Sequence, residues 1–136
     1  EDQAADGPYA TAVSNWMNYI RKNKTPFITG DGTQRRDMLH VSDAVSANLF
    51  AMNHKDDFHG AVFDVGTGQN ISLNEIKNIV KEYFNDIQFV NTEPRPNEVS
   101  TTIASTKELA AVGWRTKISI IEGIHRCFKE LKNELS

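Results

Sequence analysis

Apolar side chains recur at helical spacing along much of the chain, with short β-type runs and turn residues between them. Val13, Trp16, Met17 and Ile20 mark one side of a helix predicted from about Tyr9 to Asn23, after a polar, loop-like opening from Glu1 to Pro8. Pro26 ends that helix, Phe27-Ile28-Thr29 reads as a strand, and Gly30-Asp31-Gly32 as a tight turn. Arg36 to Val41 is predicted as the next strand and Asp43 to Met52 as a helix. The apolar arc of that helix (Ala44, Val45, Leu49, Met52, widened by Ala47, Phe50 and Ala51) is broad enough to need cover on more than one side. His54 to Gly60 is a charged loop, Ala61 to Val65 a strand, and Gly66-Thr67-Gly68 its closing turn.

Three Ser-x-x-Glu pairs, Ser72 with Glu75, Ser105 with Glu108 and Ser119 with Glu122, predict three later helix starts, because such pairs satisfy free N–H groups at a helix opening. The first helix runs to about Phe84, the second stops at Gly113, and the third runs to about Leu131 with Ile121, Ile124, Phe128 and Leu131 on one face. Ile87 to Val90 alternates like a strand, and two prolines stiffen Pro94-Arg95-Pro96-Asn97. Strands alternating with helices place the chain in the α/β class.

At 136 residues, with no repeat and no Pro/Gly-rich linker, residues 1–136 are read as a single partial domain. A net charge of −3 and scattered basic pairs speak against a nucleic-acid partner. The lone Cys127 cannot form an internal disulfide and sits in an apolar helical pattern. No apolar run is long enough to span a membrane, and the acidic start is unlike a signal peptide, so the expected setting is cytoplasmic. The first residue is Glu1 rather than Met, as in a chain cut from something longer or processed at its start. The 4 histidines make no metal set: His54 and His59 flank Lys55-Asp56-Asp57 in a loop, His40 is on a predicted strand and His125 in the last helix.

The densest motif is Gly30-Asp31-Gly32-Thr33-Gln34-Arg35-Arg36-Asp37-Met38-Leu39-His40, running into Val41 and Asp43. It resembles the "GDGxQxRDFxHVxD" signature of the extended short-chain dehydrogenase/reductases, the family of NAD-dependent nucleotide-sugar epimerases and dehydratases. Further family-like motifs follow in order: "VxDA" at Val41–Ala44, "FDVGTG" at Phe63–Gly68, "RPNE" at Arg95–Glu98 and "GW" at Gly113-Trp114. Among the branches, the pattern is most similar to UDP-glucose 4-epimerases. The resemblance implies a Rossmann-type α/β fold and identifies the chain with its C-terminal, substrate-holding part. The N-terminal NAD-binding βαβ unit is expected to be missing.

Arg36, taken alone, reads as a solvated or ion-paired surface arginine at a strand end. By resemblance it holds the diphosphate of a UDP- or dTDP-sugar, for which a guanidinium is suited by its two-pronged geometry. Arg95 is the implied second diphosphate contact and Glu98 the implied acceptor for a ribose hydroxyl. The loop departs from the family in Asn97, where Gly is usual, and in Glu98, where Asp is usual. Phe27 and Thr29 stand where the family grips the base, largely through backbone groups offered by a strand edge.

Gly66-Thr67-Gly68 is not a dinucleotide loop, since Ile71 occupies the place of the third glycine. The family's catalytic Tyr-x-x-x-Lys is absent, because Val13, Asn23 and Ile87 follow Tyr9, Tyr19 and Tyr83 at that spacing. No catalytic residue is therefore assigned, NAD belongs to the intact family enzyme, and the chain alone is expected to bind none. The expected partners are the sugar nucleotide, the missing NAD-binding half and, through apolar surface left bare, other copies of the chain. Two alternatives to an inactive enzyme fragment are a stand-alone nucleotide-sugar binding module and a structural or interaction domain without catalysis.

Overall fold

The computed structural model describes residues 11–136. The predicted start of the first helix at Tyr9 and the opening loop lie outside them. In chain order the elements are α1 (Ala12–Arg21), β1 (Phe27–Thr29), β2 (Arg35–Arg36), α2 (Val41–Asn53), β3 (Ile71–Ser72), α3 (Leu73–Tyr83), β4 (Val90–Thr92), α4 (Lys107–Ala111) and α5 (Ile120–Leu135).

The main core lies where α1, α3 and α5 meet over β1. Trp16, Ile28, Ile76, Val80, Phe128 and Leu131 are fully buried there. Each contributes on the order of 1.5–3 kcal/mol, or more for the aromatics, through apolar surface removed from water. Trp16 also satisfies its indole N–H on the Phe27 carbonyl at 2.8 Å, which ties α1 to β1. A smaller core gathers Ala47 of α2, Leu109 of α4 and Trp114, with Leu39, Phe50, Phe63 and Val112 around them.

Local signals hold best where they need no distant partner. Ser72 and Glu75 form both bonds of a capping box at the start of α3. Ser119 accepts from the Glu122 amide at 3.2 Å, but the Glu122 carboxylate turns to Arg126 instead of completing the box. Ser105 bonds Glu108 side chain to side chain at 2.6 Å, while the N-cap of α4 is one residue later, Thr106.

Sheet structure departs further from expectation. β1 pairs with β4 in parallel, Phe27 opposite Val90 and Thr29 opposite Thr92. Parallel neighbours need a crossover, and here the intervening chain carries α2 and α3. The chain is expected to lack the N-terminal NAD-binding βαβ unit, and the parallel β1–β4 pair with helices in its crossover corrects that expectation. The predicted strand from Arg36 to Val41 shrinks to β2, which pairs antiparallel with β3. Beyond Arg36 the chain leaves the ladder, because Asp37 turns to side-chain bonds and His40 becomes the N-cap of α2, its Nδ1 accepting from the Ser42 amide at 3.2 Å. Residues 61–65 form no strand. No described strand lies alongside to complete a ladder, and Val62 stands 91% exposed.

α2 buries only part of its apolar arc. Val41, Val45, Leu49 and Met52 form a stripe along one side, with Met52 80% exposed. A stripe of this kind drives association. We expect the mass seen by light scattering to rise with protein concentration and to fall back to the monomer in Leu49→Glu/Met52→Glu. A wild-type chain that stays monomeric throughout would contradict this.

Candidate functional site

The site is built outward from β2. Arg35 takes the structural share of the basic pair. Its Nε donates to Asn70 Oδ1 at 2.8 Å, and its guanidinium also reaches the Asn70 carbonyl at 3.1 Å and Glu75 Oε2 at 2.8 Å. Glu75 thus serves both the capping box and Arg35, and the Ser72 bonds, followed by Arg35, hold its carboxyl below the ordinary value.

Arg36 points elsewhere. One terminal nitrogen donates to the Arg35 carbonyl at 2.9 Å and the other to Glu98 Oε1 at 3.2 Å. Both side chains of this ion pair are about three-quarters buried, 25% and 23% exposed.

Glu98 is presented by a four-residue turn, Arg95-Pro96-Asn97-Glu98, closed by the Glu98 N–H on the Arg95 carbonyl at 3.3 Å. Proline at the second position and a left-handed Asn97 (φ 58°) at the third match a type II turn. Asn97 can stand where the family has glycine because asparagine tolerates this conformation better than most residues. The turn places Arg95 and Glu98 at its two ends. The Arg95 side chain is exposed and makes no ion pair among the described residues.

Beside this pair lies an open cleft of about 980 Å³, lined by the Gly30–Gln34 turn, β4 and its exit, Ser100 and Thr101. Thr29 and Glu98 are both on its wall; Arg36 and Arg95 border the same turn without lining the cleft. Phe27 faces the Tyr19 ring, centroids 5.6 Å apart. The carbonyls of β1 are already engaged: Phe27 with Trp16, Ile28 with the Thr92 hydroxyl at 3.4 Å, and Thr29 with the Gln34 side-chain amide at 2.8 Å. The open strand edge expected from the sequence is therefore largely occupied within the chain.

Two carboxylates that sequence reading passed over organise the surroundings. Asp37 accepts four hydrogen bonds, from the amide and hydroxyl of Thr67 and from the amides of Gly68 and Ala104. Asp43, read from sequence as a helix start, is buried and accepts from the Thr116 hydroxyl and the amides of Lys117 and Ile118. The sequence hint for Asp43 is its place in the "VxDA" motif at Val41–Ala44.

The sequence model of the NAD dependent epimerase/dehydratase family matches residues 4–66. The chain belongs to that family. Over 128 residues it is 34% identical to a Methanocaldococcus jannaschii protein provisionally assigned as a UDP-glucose 4-epimerase, covering 91% of this chain and 40% of that protein. It is 29% identical over 133 residues to CDP-paratose 2-epimerase of Salmonella typhi, covering 88% and 39% of the two chains. The crystal structure of UDP-glucose 4-epimerase with UDP-glucose from Thermotoga maritima aligns with a TM-score of 0.83 at 29% identity, over 98% of this chain and 43% of that one. The chain spans about two-fifths of the length of these relatives.

The family match corrects one expectation drawn from the motifs. Residues 4–66 fall in the family's NAD-binding region, so the chain is not a C-terminal, substrate-holding half from which the NAD-binding part is missing. Motif order identifies the family, but a local motif does not say which part of a larger fold carries it.

The family uses NAD. Several backbone amides of the described residues that could face its pyrophosphate are already engaged. The Thr67 and Gly68 amides of the Gly-x-Gly turn are taken by Asp37, the Gly30 amide by the Thr92 carbonyl, and the N-termini of α1, α2, α3 and α5 by side-chain caps. Among the described residues no group of His, Cys, Asp and Glu could hold a metal, and no helix is long and apolar enough to cross a membrane.

Proposed function

We propose that this chain contributes the diphosphate contact for a UDP- or dTDP-sugar to an NAD-dependent epimerase or dehydratase, working in the cytoplasm. The observation that carries the reading is Arg36: a mostly buried guanidinium at the end of a strand, ion-paired to Glu98, a carboxylate on the wall of an open cleft that a ligand can replace. Two of its five N–H donors are engaged, which leaves donors for phosphate oxygens. Arg95, solvated at the far end of the same turn, is the second cation for the diphosphate. Glu98, freed from Arg36, accepts from a ribose hydroxyl, and Thr29 and Phe27 border the base. Binding energy gathered on these groups, remote from the reacting carbon, holds the sugar in place for chemistry. With no Tyr-x-x-x-Lys in its sequence, the chain by itself binds without turnover.

The test compares UDP with uridine, by calorimetry for the first and ligand-observed NMR for the second. UDP is expected to bind at least about 10-fold more tightly, the scale of one charge-assisted contact. Equal affinities would refute a diphosphate site.

A further inference from the structure

Next to Arg36 in the chain stands one carboxylate that no reading above gives a task at the ligand. Asp37 Oδ1 accepts from the Thr67 amide at 3.0 Å and its hydroxyl at 2.6 Å, and Oδ2 accepts from the amides of Gly68 at 3.0 Å and Ala104 at 3.1 Å. Its own amide donates to the Thr102 hydroxyl at 3.2 Å. On the other side of Arg36, the Arg35 amide donates to the Ser100 carbonyl at 2.8 Å and the Thr102 amide to the Arg35 carbonyl at 3.1 Å. Arg36 therefore sits between a backbone rung to the segment that follows Glu98 and a carboxylate clamp that reaches that segment at Ala104 and ties it to the turn at Thr67 and Gly68.

We infer that Asp37 is a positioning residue: its carboxylate locks the strand bearing Arg36 against the segment leading from Arg95 and Glu98, and so sets the gap that a diphosphate must fit. The inference rests on the proposed diphosphate site and adds a residue to its machinery.

All four donors converge on a single carboxylate, whose two oxygens only accept. Asparagine is a poor substitute, because its NH2 group would face N–H donors on at least one side. The packing around the clamp is equally strict. A Cβ on Gly66 would overlap the Ala104 side chain and come within 2.9 Å of Asp37 Oδ2. The clamp bridges three chain segments, at Asp37, Thr67-Gly68 and Ala104, which otherwise meet in the smaller core through Leu39, Phe63 and Leu109. Loosening it should let the Arg36 strand and the Arg95–Glu98 turn drift apart while the cores stay packed.

The experiment titrates UDP and uridine against the wild-type chain, Asp37→Asn, Thr67→Val, Arg36→Ala and the double variant Asp37→Asn/Arg36→Ala. Asp37→Asn is expected to weaken UDP by roughly 5- to 30-fold while uridine changes less than about twofold. In the double variant UDP should bind no more weakly than to Arg36→Ala alone, since a residue acting through Arg36 has nothing left to position. Thr67→Val, which removes one of the four donors, should shift UDP in the same direction by less, and it carries the test if Asp37→Asn does not fold. A merely structural role would weaken both ligands together or add its loss to that of Arg36→Ala, and either result overturns the inference. So does a UDP affinity unchanged in both Asp37→Asn and Thr67→Val. If Arg36→Ala itself leaves UDP binding intact, or the wild-type chain binds none, the diphosphate site falls and the inference with it.

Discussion

Replacing Arg36 by alanine is expected to lower the affinity for UDP by about 10- to 150-fold, since a charge-assisted hydrogen bond contributes roughly 1.5–3 kcal/mol. Two features of the free protein push the loss toward the upper end. The guanidinium is mostly buried, so its contacts are screened less than those of a surface arginine. Its removal also leaves Glu98 unpaired and facing the incoming anion, where attraction becomes repulsion. Arg36→Lys should fall between, because an ammonium keeps the charge but not the two-pronged geometry. Calorimetric titration reads the effect directly, and an unchanged affinity in Arg36→Ala would remove this residue from the site.

Asp43→Ala is expected to destabilise the fold by on the order of 3 kcal/mol, because the Thr116 hydroxyl and the amides of Lys117 and Ile118 lose their acceptor in a buried place. Urea unfolding would show it, and a midpoint within error of wild type would refute it. The same carboxylate makes stability depend on pH. Burial is the largest single influence on Asp43 and raises its pKa. The hydrogen bonds from Thr116, Ile118 and Lys117, with the nearby His40, together outweigh it, so the folded value lies below the ordinary 3.8. A depressed carboxyl pKa stabilises the fold above the unfolded value, and that share is lost as the pH falls through the folded one. The stability gap between wild type and Asp43→Ala should therefore be full at neutral pH and narrow on acidification below 3.8. A gap that stays constant down to the lowest accessible pH would show that the charge of Asp43 is not what holds residues 116–118.

The sequence by itself determined the order of helices and turns, and the reason is range. A helical stripe, a proline stop, the Ser72–Glu75 box and the glycine turn at Gly30 and Gly32, both at positive φ, depend on residues within a few positions of one another. The family was equally legible, since its motifs are local strings in a fixed order. Tertiary structure alone decided which predicted strands exist. β4 forms at Val90–Thr92, sharing only Val90 with the strand predicted from Ile87 to Val90, because β1 lies beside it there, whereas residues 61–65 have β character and no described neighbour. It also decided what the charged residues do. Arg35 and Arg36 are adjacent in sequence, yet one holds the Asn70–Glu75 turn and the other meets Glu98, 62 positions away. The Asp37 and Asp43 carboxylates find donors 30 to 75 positions along the chain. A carboxylate takes whichever N–H groups the fold brings within about 3 Å, and no local pattern records which those will be.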